Sequence, residues 1–439
     1  MVYTHFPEKP IEITDELKDA LALLEAPAEQ HPLIFITGKA GTGKTTLLRF
    51  FAQNTPKEAI VLATTGLAAI QIHGQTVHSF FHLKPQLNLL DVENLKKLPR
   101  RVVDKLETII IDEASMLRAD VLDAMDHILR QSAHDKRPFG GKQLILFGDL
   151  FQLPPIEEER DSGLFDLFHT YYQSPYFFDA RVVSKTRIEV FELTRIFRQA
   201  EDRGFALLLN KIRENKITQP ALDAWLNKKI DLREPTDQEN TIILSPTNIG
   251  ASGRNQYRLA QLPGEEFVYP AQIDGDFKRK NAPAESNLRL KRGAKIMMLN
   301  NDINDYWVNG DIGTVYELGP DFIKVVLKGC VYQVEPHVWE DIRYEFNPIT
   351  QRLEPVVKGF FKQYPLKLAW AITIHKSQGL TFDNIYLDIG NGAFAPGQTY
   401  VALSRCRSLQ GVKLKKPISQ KDIRCDGRVV QFFNKVYGH

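Results

Sequence analysis

Cysteine is scarce in this chain: Cys330, Cys406 and Cys425 are the only three in 439 residues. They are odd in number, far apart and without a C-x-x-C pair, which argues against a disulfide framework and gives no zinc pattern. Long apolar runs are missing as well. No stretch approaches the ~20 residues that a membrane-crossing helix needs. The opening MVYTHFPEKPIEITDELKDAL has neither the apolar core of a signal peptide nor the Arg/Ser bias of a transit peptide, so a cytoplasmic protein is expected. There is no internal repeat and no low-complexity segment. An excess of charge of one sign is also lacking, since 56 Lys+Arg against 54 Asp+Glu leave a net +2. Charge distribution says more. The tail Arg405–His439 holds nine Lys/Arg against two acids, and Phe277–Lys295 is also basic. Such clusters either track phosphates or form a solvated face.

What is present fits an ordinary soluble protein, 43% hydrophobic and 25% charged, long enough for about two to four domains. In the first third, LIFIT (33–37), AIVLAT (59–64), TIIID (108–112) and QLILFGD (143–149) read as buried parallel strands. Between the last two, Val121, Leu122, Met125, Ile128 and Leu129 fall at helical spacing behind Asp120, a suitable N-cap. Strands alternating with helices predict a parallel sheet whose sites lie at the C-terminal strand ends. A second series, 242–244, 366–374 and 384–389, predicts another α/β domain. Within it, KIMML (295–299), an Asn309-Gly310 turn, and apolar runs at 312–315, 322–327 and 331–334 predict a small inserted all-β barrel.

The strand ends carry the chemistry. Gly38-Lys39-Ala40-Gly41-Thr42-Gly43-Lys44-Thr45 fits G-x-x-x-x-G-K-[ST] between the LIFIT strand and the helical TTLLRFF. Its glycines let backbone N–H groups wrap phosphates at a helix N-terminus. Lys44 would meet the β- and γ-phosphates and Thr45 a Mg²⁺ ion. Asp112 and Glu113 end the TIIID strand. A carboxylate pair at a buried strand end is costly without a cation or donors; Asp112 suits Mg²⁺, and Glu113 suits orienting and deprotonating the attacking water. That pairing points to hydrolysis rather than a nucleotide switch, and the absence of N-K-x-D favours ATP over GTP. Gln152, in GDLFQLPP, is either a γ-phosphate sensor or a loop amide capping backbone. Positive charge on the γ-phosphate oxygens has candidates in Arg198 (FRQ) and Arg405 (YVALSR).

The ordered set GKAGTGKT, TTGLAAIQIHGQTVHSFF (64–81), IIIDEASMLRAD (109–120), PFGGKQLILFGDLFQLPP (138–155), ELTRIFRQ (192–199), AITIHKSQGLTFD (371–383) and YVALSRCRS (400–408) resembles the Pif-one-like family of superfamily-one helicases, cousins of the RecD-like enzymes. The stretch 115–141 is similar to that family's signature segment. The resemblance spans residues 35 to about 408. It implies an α/β architecture of two RecA-like domains, at 1–185 and at 186–292 with 366–439. A wedge would lie near 75–98 and an SH3-like barrel at 293–365. It implies a 5′-to-3′ DNA helicase, dependent on ATP and Mg²⁺, that translocates on single strands in replication, repair or genome maintenance, acting on tailed or forked duplexes. Separately, a monomer is expected because the sequence shows no coiled coil and no evident dimer seam. ATP would lie between the domains against Gly38, Gly41, Thr42, Gly43, Lys44, Thr45 and Thr46. Arg198, Arg405, Gln378 and Gly379 would face it from the second domain. The DNA track would include Thr64, His78 and Phe81, then Thr247, Asn248, Thr373, His375 and Lys376. Phe80 or Phe81 would stack a base or fill the core. One departure is the adenine-reading glutamine, represented upstream only by Gln30. A second reading is a DNA-stimulated translocase that displaces bound proteins without unwinding. A small-molecule P-loop kinase leaves the second RecA-like half unexplained.

Overall fold

The computed structural model describes residues 14–84, 95–156, 168–198, 202–236, 239–277, 279, 282–304 and 306–438. Residues 85–94 of the expected wedge stretch lie outside them. The first domain is built on six strands: β1 (Leu33–Gly38), β2 (Ala59–Ala63), β3 (Gln75–Thr76), β4 (Thr108–Asp112), β5 (Gln143–Phe147) and β6 (Ile188–Leu193). They pair in parallel in the order β3-β2-β4-β5-β1-β6. Every residue of β1, β4 and β5 is buried, which is why these strands are continuous apolar runs rather than alternating ones. One face packs on the helix Ala119–Ala133 and its neighbours, the other on the helices Asp15–Glu25 and Lys44–Asn54. Asp120 does not cap the helix Ala119–Ala133: Arg118 holds the N-cap position, and Asp120 is buried in the first turn against the Arg118 guanidinium at 2.9 Å. The boundary expected at 185 falls too early, because β6 hydrogen-bonds along β1 to Leu193.

After β6 the chain forms β7 (Ile242–Ser245), β8 (Phe267–Pro270), β9 (Gln272–Gly275), β10 (Asn287–Leu290), β11 (Lys295–Met298), β12 (Ile312–Gly319), β13 (Phe322–Leu327), β14 (Cys330–Val334), β15 (His337–Asn347), β16 (Arg352–Gln363), β17 (Leu366–Leu368), β18 (Ala371–Thr373), β19 (Ile385–Leu387) and β20 (Val412–Leu414). The second domain's sheet is the parallel set β18-β7-β19-β20. Its core includes Phe205, Leu208, Leu209 and Ile212 from the helix Arg203–Arg213.

Three expectations change here. The run 366–374 is not one strand: β17 closes the antiparallel sheet β14-β13-β12-β11-β17, and only β18 enters the second domain. The segment 293–365 is not a single small β unit either. That sheet has its own core of Trp307, Val315, Ile323 and Val325, whereas β15, β16 and β9 form a separate sheet. The long β15–β16 hairpin reaches the first domain, burying Tyr344 and Leu353 in its core. There the Tyr344 hydroxyl accepts from Val61 N–H at 3.3 Å, and Tyr344 N–H donates to Gln75 Oε1 at 3.3 Å. The C-terminal helix Gly427–Tyr437 also crosses back. Val429 and Phe433 enter the first domain's core, and Phe432 stacks on Phe178 with centroids 4.7 Å apart.

The basic clusters are partly consumed inside the fold. Lys413 pairs with Asp231 and Glu239, and Lys415 with Asp388. Lys295 is buried, donating to the Glu239 and Thr241 carbonyls. The three cysteines are free thiols.

Candidate functional site

The phosphate loop leaves β1 through a residue that must be glycine. At Gly38, φ is +151°, and a Cβ there would lie 2.6 Å from the Leu193 carbonyl and 2.7 Å from Thr42 Oγ1. Gly41 and Gly43 take φ of 83° and 86° before the helix begins at Lys44. The buried Thr42 donates its hydroxyl to the Lys39 carbonyl at 2.9 Å. Lys44 Nζ donates to the Gly38 and Lys39 carbonyls at 2.8 and 3.0 Å. Thr45 and Thr46 are exposed in the helix's first turn.

Across the loop, β4 ends at Asp112, which is buried and accepts Glu113 N–H at 2.9 Å. Glu113 has φ of 52°, a conformation that costs a non-glycine residue energy and that clusters at functional sites. Burial, then the neighbouring Glu113 carboxylate, push the Asp112 carboxyl up to about 7. Burial also raises Glu113, opposed by Lys44 and Arg405. Two acids forced together out of water are stabilised by added positive charge. The pair therefore fits a hydrated Mg²⁺, which takes few protein ligands and keeps water and phosphate oxygens for the rest; Thr45 and Asp112 are the groups that would hold it.

Beyond β5, the GDLFQ loop holds Asp149 and Gln152, both buried. Asp149 Oδ1 accepts from Arg213 Nε and Nη2 at 3.2 and 3.0 Å. Although burial opposes its ionisation, Arg213 and Lys44 hold the Asp149 carboxyl below the usual range. Gln152 points its amide toward Asp149 Oδ2 at 3.5 Å. Arg405, 2% exposed, is buried near Glu113 and anchored to the Val401 carbonyl and Ser404 Oγ. Arg198 Nη1 reaches the Ser404 carbonyl at 3.2 Å, and burial followed by the Arg405 charge pushes its guanidinium down to about 9. Arg198 was expected on the second domain. It lies instead on the segment leaving β6, tied to the phosphate loop by Phe197 N–H donating to the Gly41 carbonyl at 2.8 Å. Among the described residues, Gln378 Nε2 is a buried donor without a hydrogen-bond partner, which suits an anion. Beside it, Gly379 has φ of 78° and faces Gln71 of the first domain.

The candidate track residues divide. Thr64 follows β2 and donates to the Glu113 carbonyl at 3.2 Å, so it links that surface to the acid pair. His78 lies half-buried in the short helix Val77–Phe80. Thr247 caps the helix Asn248–Gln261, accepting Gly250 N–H; Thr247 and Asn248 are exposed. Lys376 is exposed and His375 half-buried, its imidazole pKa lowered by burial. Phe81 is corrected: it is fully buried in the first domain's core, edge-on to Phe80 at 5.0 Å, and offers no face to a base. Thr373 is corrected as well, because it is buried and its hydroxyl accepts Lys376 N–H at 3.2 Å, shaping the turn rather than facing solvent. Gln30 stands exposed in the turn before β1.

Sequence reading missed Tyr400 and Arg213. Tyr400 stands inside the YVALSR motif; Arg213 carries no local signal, being one basic residue at the end of an amphipathic helix.

A phosphate loop, an acid pair and a set of buried arginines, assembled between two parallel sheets of one chain, define a P-loop nucleoside triphosphatase with two RecA-like domains. Comparison with known proteins narrows the class. The sequence model described as PIF1-like helicase matches residues 12–221. The chain is 32% identical over its whole length to the ATP-dependent DNA helicase Pif1 of Bdellovibrio bacteriovorus, covering 95% of that protein. It spans about 60% of the length of the matched vertebrate relatives such as the human enzyme. It is 33% identical to Bacteroides sp. Pif1 in complex with ADP-AlF4, with a TM-score of 0.87 and 98% of both chains covered. Against Bacteroides Pif1 bound to ssDNA the TM-score is 0.67 at 34% identity, again over 98% of both chains. The chain belongs to the Pif1-like helicase family, and it is an ATP-hydrolysing enzyme.

Proposed function

We propose that this chain is a cytoplasmic ATP- and Mg²⁺-dependent helicase that moves 5′ to 3′ along single-stranded DNA and opens tailed or forked duplexes, acting as a single chain. The observation that carries this reading is that the γ-phosphate end of the site is furnished by both domains: Lys44, Glu113 and Asp149 come from the first, Arg405 and Arg213 from the second.

Bound Mg²⁺ would neutralise phosphate charge. Around it, Lys44 and the phosphate-loop N–H groups hold the β- and γ-phosphates, and Glu113 orients and deprotonates the attacking water. Arg405, Arg198 and the Gln152 and Gln378 amides meet the charge developing on the γ-phosphoryl oxygens. Burial holds these groups in place and excludes bulk water, so little reorganisation accompanies the reaction.

DNA would cross Thr64 and His78 on one domain and Thr247, Asn248, His375 and Lys376 on the other. Hydroxyl, amide, imidazole and ammonium groups contact phosphates and sugars without reading bases. Thr64 touches the residue that handles water, and Lys376 lies two residues before Gln378. Track and cleft therefore share two backbone segments, and opening or closing the cleft would change the spacing of the track.

The test is one duplex carrying either a 5′ or a 3′ single-stranded tail, unwound with ATP. Unwinding at least about tenfold faster with the 5′ tail, a difference of about 1.4 kcal/mol in barrier, is the expected outcome. A 3′ preference would reverse the polarity. DNA-stimulated hydrolysis and streptavidin displacement without strand separation would make the chain a translocase.

A further inference from the structure

One carboxylate of the first domain is held from four directions, two of them across the cleft. Asp149, 1% exposed, accepts the Arg213 guanidinium on Oδ1, and its own loop supplies Phe151 N–H at 3.2 Å and the Gln152 amide at 3.5 Å. From the second domain's helix Gln398–Ser404, the Tyr400 hydroxyl donates to Asp149 Oδ2 at 3.1 Å. That same hydroxyl oxygen accepts Ala40 N–H, in the phosphate loop, at 2.9 Å. A single OH group therefore joins the phosphate loop, the GDLFQ loop and the second domain. Tyr400 is 3% exposed, so both bonds are shielded from bulk solvent.

Neighbouring contacts fix this geometry. Gly397, which caps the same helix with φ of +72°, lies so close to the GDLFQ loop that a Cβ would meet the Gln152 and Phe151 carbonyl oxygens at 2.4 and 2.5 Å. The Arg213 guanidinium lies 4.0 Å over the Phe151 ring, which stacks at 5.4 Å on Phe433 of the C-terminal helix. The loop carrying Gln152 is clamped between the second domain and the tail helix.

We propose that Tyr400 is a positioning residue for ATP hydrolysis: its hydroxyl locks the phosphate loop and the GDLFQ loop together when the second domain closes, setting Gln152 and the Glu113 water against the γ-phosphate. Tyr400 acts through Asp149 and Ala40 and touches neither water nor phosphate. The chemistry is thereby confined to the closed cleft, where Arg405 and Arg198 are also in place. The inference rests on ATP hydrolysis at this site.

Y400F keeps the ring and its packing and removes only the bridge. In the full chain, with saturating single-stranded DNA, its kcat for ATP should fall about tenfold or more, with KM for ATP and the Kd of a fluorescent ADP analogue within threefold of wild type. If Tyr400 works through Asp149, Y400F combined with D149N should be no slower than D149N alone. G397A displaces the loop from the other side and should reproduce the kcat loss, so it carries the test if Y400F melts at room temperature. Wild-type kcat in a folded Y400F, a loss confined to KM, or additive losses in the double variant would each overturn the proposal. Failure of the underlying site reading has a different mark: a folded K44A variant would then keep wild-type turnover, whatever Y400F does.

Discussion

Alanine at Lys44, or glutamine at Glu113, is expected to lower DNA-stimulated ATP hydrolysis by about 100-fold or more. Lys44 opens the helix behind the phosphate loop and already holds two of the loop's carbonyls, so its ammonium is both a phosphate ligand and a brace. Its removal should weaken nucleotide binding as well as turnover. Glu113→Gln keeps size and shape, and the φ of 52° is a backbone property that glutamine inherits. Nucleotide binding should survive while hydrolysis stops, because an amide cannot take the proton of the attacking water. Phosphate release at saturating ATP and oligonucleotide, with thermal melting in parallel, separates the two effects. Activity within threefold of wild type in either folded variant would mean that hydrolysis happens elsewhere.

Phe81→Ala is expected to cost about 3–5 kcal/mol of stability, the usual range for deleting a buried aromatic ring. Phe81 has no exposed surface and packs among Val77, Leu98 and Val103 of the first domain's core. A denaturant midpoint reads the loss. The affinity of the folded variant for single-stranded DNA should remain within about twofold of wild type. A base-stacking residue would behave oppositely, losing about 1–3 kcal/mol of DNA affinity with stability nearly intact. Adjacent phenylalanines carry the same local signature in either role, and only the packing of the strand and helix around them assigns the ring.

Much of the site was legible before folding. The phosphate loop, the acid pair and GDLFQ each follow an apolar run that is buried on both faces, and such runs announce central parallel strands. The four strands expected in the first domain accordingly lie within two residues of their expected ends, whereas the edge strands β3 and β6 had no expected counterpart. Legibility fails where a run serves two sheets. Leu366–Ile374 is mostly apolar, broken only by Lys367 and Thr373, yet Ala369 and Trp370 carry the chain from the inserted sheet into the second domain. It fails again at β15 and β16, which were not among the expected strands and whose landing on the first domain no local pattern records.

The sequence by itself determined the chemistry: a phosphate-gripping loop, a carboxylate pair, candidate arginines, and the two α/β units that display them. Those signals are local, because hydrogen bonding and burial give strands and helices their periods within a few residues. Only the tertiary structure decided what faces what. Tyr400 meets Asp149 across 251 residues of chain and Ala40 across 360. Arg198 leaves the first sheet rather than the second, and the tail helix returns to cover the GDLFQ loop. Such contacts depend on how separately formed sheets dock, through shape and charge complementarity between surfaces remote in sequence, and no local periodicity records that docking.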